Sequence, residues 1–567
     1  MYRWLILTLA LIPLLLSALR SQSPDTLLWW TTDALEKVRP FDPPPEELTN
    51  SIQITAARNE FEPFQIVLRS DSRDIEGVDF QVSDLKGPGG AVLSKDKIAI
   101  YFERFVNLPQ PSNIEGKAGE WPDALIPRVD RYYGERRNAF PFNLARGRNQ
   151  PVWFEVYVPP SSAPGAYKGA IAVSIHDKQT LSVPITLQIW KFVLPSTSSL
   201  RNSFGFNGTT ALRQHLGAYT NDEDLYRFTF IYRKAALEHR LTLHGGAMNP
   251  PRIHSFGDRP DIDWKNYDAE VGPFLDGTAI HPNEPLAGAK ATTVDLPRNE
   301  TLQTDQQKIV YWRAVANHFR QKGWFSRLFN YLWDEPKQVD SAELLRRGRL
   351  VHSADPEIKN AVTASLHRDW VDVVDIWIPL VNCFASRQGF RDFCVPSVPR
   401  SEYTNVWWYQ SCASHGCNIV GGPYFTGWPN YMIDTSPVAN RIFPWLAWKY
   451  GIQGELYYSI NEAYARSTDA WDNLYLFGGN GDGTLLYPGR TRMIGGKTDI
   501  PIESIRLKLI REGLEDYEYL VLLSKHDGDA AVSDLVGRIV TNAYSYDRHP
   551  DRLYALRRQI AERISKE

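Results

Sequence analysis

The chain has 567 residues, of which 43% are hydrophobic and 23% are charged, and these proportions are ordinary for a soluble globular protein. That length allows two to four domains. The formal net charge of −3 gives no electrostatic reason to expect nucleic-acid binding, so that class of function is set aside. The 18 Trp and 27 Tyr residues either enlarge the cores or offer stacking faces to sugar rings, and composition alone favours the cores.

Residues 1–23 are predicted to be a secretory signal peptide. Arg3 supplies the positive flank, an apolar run of 13 residues follows at 4–16, and Ser21 and Ser23 are plausible cleavage positions. Thirteen apolar residues are too few for a comfortable membrane span, with an uncleaved anchor as the alternative. No later run is long and apolar enough to cross a bilayer. We therefore expect a secreted, periplasmic or cell-surface protein.

Residues 24–196 are predicted to form an N-terminal β-sandwich domain. Runs that alternate in polarity and are rich in Ile, Val and Phe are separated by turn clusters such as "KGPGG" and "PPSSAPG". Short strands between regular turn signals are typical of a sandwich. The stretch 194–203, "LPSTSSLRNS", is predicted to be a linker.

The rhythm changes to strand–helix alternation over residues 197–502. "DQQKIVYWRAVANHFRQKG" places its apolar residues on one helical face, and "FSRLFNYLWDEP" has the pattern of a buried strand. Such alternation predicts a catalytic (β/α)8 TIM-like barrel, here an irregular one with long loops. Residues 503–567 are predicted to be C-terminal helices packed on the barrel. The expected fold class is thus multidomain, with an N-terminal β-sandwich, an α/β barrel and a helical tail.

The four cysteines lie within one 35-residue stretch, and export would permit disulfides among them. The local pairs Cys383–Cys394 and Cys412–Cys417 are the simplest of three connectivities. A metal site around His415 in "CASHGC" is the other interpretation. Structural and catalytic zinc sites need three or four ligands at known spacings, so a disulfide-tied loop is favoured.

The stretch "NYLWDEPK" at 330–337 ends an aromatic strand with two adjacent carboxylates and a proline. One interpretation is structural, because acidic residues and proline suit the first turn of a helix. The other is catalytic, because Asp334 and Glu335 would stand at the C-terminal mouth of a barrel strand.

The adjacency of the two acids restricts the chemistry. Ordinary glycosidases place their two carboxyl groups about 5–5.5 Å apart when retaining and about 6.5–9.5 Å apart when inverting, across the scissile bond. Sequence neighbours cannot easily reach opposite faces of a sugar. Glu335 can instead protonate the leaving oxygen while Asp334 orients the substrate's own 2-acetamido group, whose carbonyl oxygen attacks the anomeric carbon. The pair therefore favours substrate-assisted catalysis.

"NYLWDEP" resembles the strand-end Asp-Glu motif of glycoside hydrolase family 123, the β-N-acetylgalactosaminidases, and of uncharacterised relatives sharing their catalytic domain. Further similar pieces occur in the expected order: "VWWYQSC" (406–412), "PNYMID" (429–434), "RIFPWLAWKYGIQGELYY" (441–458), "GDGTLLYPG" (481–489) and "SIRLKLIREGLEDYEYL" (504–520). The upstream "ARNEFEPFQIVL" and "APGAYKGAIAVS" look like that family's N-terminal β-sandwich. The resemblance covers most of the mature chain.

The resemblance implies an exported, retaining hydrolase of terminal β-linked 2-acetamido sugars, with Glu335 as acid/base and Asp334 as the acetamide-orienting residue. It implies a glycan or glycoconjugate substrate and no metal or cofactor. Tyr458 stands where the family pattern has tryptophan, which bears on the substrate more than on the chemistry. A hydrolase of the same fold with another glycan substrate, and a non-catalytic carbohydrate-binding protein, are the alternatives.

Seven further residues are candidates for substrate binding, each with a structural alternative. The aromatic ones are core candidates as well, and the acidic ones suit ordinary turns. Alternation along the strand sends neighbours to opposite sides, so at most two of the three consecutive aromatics can face the barrel axis. The candidates are Trp407, Trp408, Tyr409, Tyr431, Asp434, Tyr458 and Asp482.

Overall fold

The computed structural model describes residues 27–245, 249–257, 260–390, 402–417, 422–467 and 469–566. The predicted signal peptide and Cys394 lie outside these residues. Within the described part, no helix is both long enough and apolar enough to cross a membrane.

Two seven-stranded sheets build the N-terminal part, which confirms a sheet-rich N-terminal domain. The first sheet runs in the order Leu28–Asp33, Glu60–Arg69, Asn149–Val158, Ile98–Leu108, Gly119–Pro127, Ile500–Ser504 and Leu486–Gly489. The second has the path Ile52–Arg58, Lys178–Val193, Gly165–Ile175, Ile75–Val82 and Phe142–Leu144, with Leu85–Lys86 and Val92–Leu93 beside it. Phe154 of the first sheet meets Phe80 of the second edge to face, with ring centroids 5.4 Å apart, so the sheets share a core.

Two strands of the first sheet come from far along the chain. Ile500–Ser504 pairs antiparallel with Gly119–Pro127, placing Ser504 opposite Ala124, and Leu486–Gly489 pairs with Ile500–Ser504 in turn. The sequence places "PIES" at the start of the helical tail, whereas the structure has a strand there and begins the helix at Ile505. Ladder partners supplied by the N-terminal domain therefore override the local helical pattern.

Eight parallel strands of the described residues lie in two sheets of four. One sheet has the order Leu243–His244, Arg201–Gly205, Gly454–Tyr457 and Trp408–Gln410, and the other Val294–Asp295, Leu328–Trp333, Lys359–Val362 and Ile376–Trp377. On one side, parallel bridges Trp377–Val406 and Leu380–Tyr409 join the sheets. On the other, Thr292 N donates to Thr242 Oγ1 at 2.8 Å. Because ladder pairing is continuous only within each sheet, the pairing does not by itself establish a closed barrel.

The described residues contain thirteen α-helices. Their bounds are Gly208–Leu216, Asp222–Leu237, Lys265–Asp276, Asp305–Gln321, Ser341–Ala354, Cys412–His415, Pro437–Arg441, Phe443–Tyr450, Ala463–Arg466, Thr491–Ile494, Ile505–Asp527, Asp529–Ile539 and Pro550–Ile564. Three small hairpins also lie in the described residues: Arg252–Ser255 with Asp261–Asp263, Tyr475–Leu476 with Gly479–Asn480, and Val540–Asn542 with Ser545–Tyr546.

The helix Ile505–Asp527 joins the two parts of the molecule through buried charges. Arg511 and Lys508 reach Glu155 of the first sheet at 2.5 and 2.9 Å, and Arg506 reaches Asp123 at 2.8 Å. Arg511 also lies 4.0 Å from Glu515 of the same helix, so the acidic run of this helix lies in a structural network.

Candidate active site

The carboxylates of Asp334 and Glu335 follow directly on the strand Leu328–Trp333. Both residues are exposed, and the next helical turn begins only at Gln338. Trp333 pairs with Val362, so the carboxyl ends of two neighbouring parallel strands meet here. Ligand sites in parallel sheets lie outside such ends, which makes this edge the candidate active site.

Asp334 is held through one of its two carboxylate oxygens. Its Oδ1 accepts hydrogen bonds from the hydroxyl of Tyr331 at 2.7 Å and from that of Thr363 at 2.9 Å. No described residue hydrogen-bonds Oδ2. Burial, and then the charge of Asp334, raises the pKa of the Tyr331 phenol, which keeps that phenol protonated as a donor. The second oxygen of Asp334 is thus available to a further hydrogen-bond donor.

Glu335 is held in the same manner by different residues. Its Oε1 accepts hydrogen bonds from Tyr409 at 2.7 Å and from Ser414 at 2.5 Å, and no described residue bonds Oε2. Burial and the Glu335 hydrogen bond raise the pKa of the Tyr409 phenol. The two acids are therefore held by different donors, and each acid keeps one oxygen with no hydrogen bond from a described residue.

The backbone at Glu335 is strained. Its φ of 46° lies in the left-handed region, which costs a non-glycine residue on the order of 1–3 kcal/mol. Pro336 follows and restricts the preceding residue further. The Glu335 N–H donates to Thr363 Oγ1 at 2.6 Å, which stabilises this unusual turn. This turn carries Asp334 and Glu335 together at the carboxyl end of the strand Leu328–Trp333.

A cavity of about 700 Å³ is lined by Tyr331, whose hydroxyl bonds Asp334, although neither Asp334 nor Glu335 lines it. Tyr331 lines it near the carboxylate, where Arg298 donates to the Tyr331 carbonyl oxygen at 2.9 Å. His244 and Asp295 line it at the ends of their strands. Oδ1 of Asp295 is buried and has no hydrogen-bond partner among the described residues. The volume is within the range of small-molecule sites, but the unpaired oxygen of Asp295 has no surface open to the cavity.

The three consecutive aromatics alternate as predicted, but only one contacts the candidate site. Trp407 and Tyr409 belong to the cluster between the parallel strands, whereas Trp408 packs with Phe384 and Phe443 on the other side. Trp407 is only 1% exposed, so it has no free face on which a sugar can stack. Tyr409 reaches the site through its hydroxyl.

Tyr431 and Asp434 lie away from any surface. The Tyr431 hydroxyl donates to Glu455 at 2.5 Å, and burial raises the pKa of the Glu455 carboxyl to about 7. Asp434 is fully buried and accepts hydrogen bonds from the Ser112 N–H at 2.8 Å and from its hydroxyl at 2.5 Å. From the sequence, Asp434 is a candidate sugar-binding residue. The structure instead places it in the contact with the N-terminal part.

Tyr458 and Asp482 bond to each other beside the site. The Tyr458 hydroxyl donates to Asp482 at 2.9 Å, and the Cys412 N–H donates to the same oxygen at 2.9 Å. Burial raises the pKa of Asp482 to about 6. Asp482 is 1% exposed, and the Cys412 N–H that bonds it begins the short helix whose Ser414 contacts Glu335.

The predicted disulfide between Cys412 and Cys417 is present. Sequence reasoning missed Thr363 and Ser414 as site residues. Thr363 is the polar residue that follows the next strand, a position that the barrel pattern marks for function. No comparable local signal exists for Ser414, since its contact with Glu335 joins positions 79 residues apart.

The chain is similar to known proteins in both of its parts. Residues 30–175 match the family model of the glycoside hydrolase 123 N-terminal domain, and residues 297–523 match that of the glycoside hydrolase 123 catalytic domain. No curated protein matches the chain. Among solved structures, a family 123 glycoside hydrolase from Clostridium perfringens, studied for glycolipid glycan hydrolysis, is 16% identical with a TM-score of 0.64, over 95% of this chain and 97% of that one.

Two other solved structures are more distant. A GH5 xyloglucanase from Bacteroides ovatus is 8% identical over 82% of this chain and 98% of that chain, with a TM-score of 0.26. A family 39 glycoside hydrolase from Bacteroides cellulosilyticus is 11% identical over 82% of each chain, with a TM-score of 0.27. Both scores are too low to support an argument.

The chain has a sheet-rich N-terminal domain followed by a glycoside hydrolase catalytic domain, and this arrangement defines its class. The protein is a glycoside hydrolase, and its substrate is a glycan. The two matched domains together span about two thirds of the chain, in the same order as in the family. The chain belongs to glycoside hydrolase family 123.

Proposed function

We propose that this family 123 member is an exported, retaining hydrolase of terminal β-linked 2-acetamido sugars, first among them β-N-acetylgalactosaminides, and that it works by substrate-assisted catalysis. One observation carries the proposal. Asp334 and Glu335 are adjacent on one rim, and each has one oxygen held by protein donors and the other unpaired among the described residues.

In the first step, the acetamide N–H of the bound sugar donates to Asp334 Oδ2, which turns the acetamide oxygen toward the anomeric carbon. That oxygen attacks as the glycosidic C–O bond breaks, and Glu335 gives its proton to the departing oxygen, so an oxazolinium ion and an alcohol form. The carboxylate of Asp334 stabilises the positive charge that develops on the ring.

In the second step, the ionised Glu335 removes a proton from a water molecule. The water oxygen attacks the anomeric carbon, the oxazolinium ring opens, and the acetamide is restored. Two displacements on one carbon return its configuration to β. A conventional pair on opposite faces, about 5–5.5 Å or 6.5–9.5 Å apart, does not fit consecutive residues on one turn.

We propose that the sugar ring occupies the cavity lined by Tyr331, where Arg298 supplies polar contacts. We further propose that the eight parallel strands form an irregular (β/α)8 barrel and that the two N-terminal sheets form a β-sandwich. The strand order through the two sheets of four follows the chain, as in such a barrel, and supports this. The Cys412–Cys417 disulfide supports export, because disulfides persist in oxidising compartments.

A panel of nitrophenyl glycosides tests the proposal on the wild type, Glu335→Gln and Asp334→Asn. Glu47→Gln, an exposed acid in the N-terminal part, is the matched control. We expect turnover of the 2-acetamido sugars, a fall of roughly 10²–10⁴-fold in kcat for Glu335→Gln, and a comparable loss for Asp334→Asn. Wild-type rates in both variants would contradict the assignment.

Turnover confined to another sugar indicates a different glycan substrate, and binding without turnover indicates a carbohydrate-binding protein. The glycolipid glycans described for the Clostridium perfringens enzyme are the first natural substrates to assay.

A further inference from the structure

We infer that the disulfide-closed helix Cys412–His415 is a positioning element for the acid/base carboxylate, and that Ser414 is the residue through which it acts. The inference rests on the proposed role of Glu335. It assigns a task to the cysteine-rich loop that neither the family match nor the motif of adjacent acids explains.

The first support is the contact itself. Ser414 Oγ donates to Glu335 Oε1 at 2.5 Å, and Tyr409 donates to the same oxygen at 2.7 Å. A glutamate side chain has three rotatable torsions, so the position of its backbone does not fix its carboxyl group. Two donors on one oxygen fix the carboxyl plane and direct the second oxygen away from them. Loss of either donor releases the group that must meet the leaving oxygen.

The second support is how the helix is held. Four residues are far too few for a helix to be stable alone, so its position must come from tertiary restraints. The Cys412 N–H donates to the buried Asp482 at 2.9 Å, and the disulfide ties Cys412 to Cys417 just past the helix. The Ser414 N–H donates to Ser411 Oγ at 3.2 Å. These restraints hold both ends of the turn that carries Ser414.

The third support is that the residues that hold this helix in place are buried. Cys412 and Cys417 are fully buried, and so is His415, whose ring is paired with Asn382. Ser414 is the half-buried residue of this turn that touches the site. The disulfide therefore has a structural route to Glu335 that runs through one hydroxyl group.

The consequence is specific to substrates that need protonation. An alkyl 2-acetamido glycoside departs as a strongly basic alkoxide and depends on the proton of Glu335, whereas nitrophenolate departs with little help. Ser414→Ala should therefore lower kcat for the alkyl glycoside by roughly 10- to 100-fold, the worth of a hydrogen bond to a charged group. It should lower kcat for the nitrophenyl glycoside much less, with KM for both nearly unchanged.

The experiment compares wild type, Ser414→Ala, Ser414→Thr and the double variant Cys412→Ala/Cys417→Ala on both glycosides, with and without dithiothreitol, and records a melting curve for each protein. Ser414→Thr keeps the hydroxyl group and should recover most of the alkyl-glycoside rate. Dithiothreitol should reproduce the selective loss in the wild type and add nothing further in the double variant, which separates this disulfide from any bond made by Cys383.

An unchanged ratio of alkyl to nitrophenyl rates in a folded Ser414→Ala protein would overturn the inference. So would a selective effect of dithiothreitol that persists in the double variant. If Ser414→Ala fails to fold, Ser414→Thr and the reductant titration of the wild type decide by the same rate ratio. A wild-type rate in Glu335→Gln would instead overturn the proposed function itself, so the two failures are distinguishable.

Discussion

The hydroxyl of Thr363 lies 2.9 Å from Oδ1 of Asp334, so the residue that follows one parallel strand holds the carboxylate that follows its neighbour. The same hydroxyl accepts the Glu335 N–H at 2.6 Å. A hydroxyl group can donate one hydrogen bond and accept another, and Thr363 uses both capacities here. One side chain thus fixes the orientation of Asp334 and the strained turn at Glu335.

Thr363→Val should impair catalysis by both routes. Valine keeps the shape but removes the donor to Asp334 and the acceptor for the Glu335 N–H. We expect kcat/KM on a nitrophenyl 2-acetamido glycoside to fall about tenfold or more, as for loss of a hydrogen bond to a charged group. Thr363→Ser keeps the hydroxyl and is the control. Equal kcat/KM for the Val and Ser variants would show that the hydroxyl does not act on the pair.

Asp434→Asn tests whether Asp434 is structural. Because this carboxylate is buried and bonded to Ser112, we expect a lower melting temperature, by an amount equivalent to about 1–3 kcal/mol, and an unchanged KM for the sugar. Ser112→Ala completes a double-mutant cycle, in which the two losses should not add. A raised KM at an unchanged melting temperature would show that Asp434 contributes to sugar binding and not to stability.

The Glu455→Gln variant should be more stable than the wild type, by an amount that depends on pH. Burial raises the folded-state pKa of Glu455 from 4.5 to about 7, although the Tyr431 hydrogen bond acts to lower it. The folded state therefore holds a proton that the unfolded chain releases between these pH values, and wild-type stability falls as pH rises through that window. The variant should be more stable than wild type by about 3 kcal/mol above pH 7 and nearly equal below pH 4.5. Melting temperatures of both proteins from pH 4 to 8 check this, and a difference that does not vary with pH would contradict it.

Glu155→Gln should weaken the contact between the N-terminal sheets and the helix Ile505–Asp527. Burial acts to raise the pKa of Glu155, but Arg511, Lys508 and Arg131 hold it well below its usual range. Removing the charge takes one partner from those buried cations, but Lys508 keeps Glu503 at 2.5 Å and Arg511 keeps Glu512 at 3.2 Å. The loss in the free energy of unfolding should therefore stay below the roughly 3–5 kcal/mol of a buried charge left with no partner. Denaturant unfolding measures it, with Glu47→Gln as the exposed control. A loss no larger than that of the control would show that the network contributes little.

Local patterns predicted what local forces decide. The helix Asp305–Gln321 lies where the apolar periodicity placed it, and a capping box at Thr304 and Gln307 explains its sharp start. Strict alternation correctly separated Trp407 from Trp408. The motif of adjacent acids, together with the ordered pieces around it, was enough to identify the family.

Contacts between distant segments could not be read from the sequence in this way. The turn chemistry around Asp434 suggested an exposed loop, but the partner that buries it, Ser112, is 322 residues away. The strand Ile500–Ser504 was missed because its ladder partner Gly119–Pro127 lies in the N-terminal domain, and Leu486–Gly489 was missed with it because it pairs with Ile500–Ser504. Ser414 was missed for the same reason. The structure at these positions depends on pairing between distant segments, which the periodicity of a short stretch of sequence does not reveal.

The central claim is that the substrate's own acetamide attacks the anomeric carbon beside Asp334 and Glu335. The most direct measurement is kcat/KM for a series of nitrophenyl glycosides whose 2-acetamido methyl group carries zero, one, two or three fluorine atoms. Fluorine withdraws electrons from the acetamide oxygen, so kcat/KM should fall with every added fluorine in the wild type. A value that stays level across the series would mean that the acetamide is not the nucleophile.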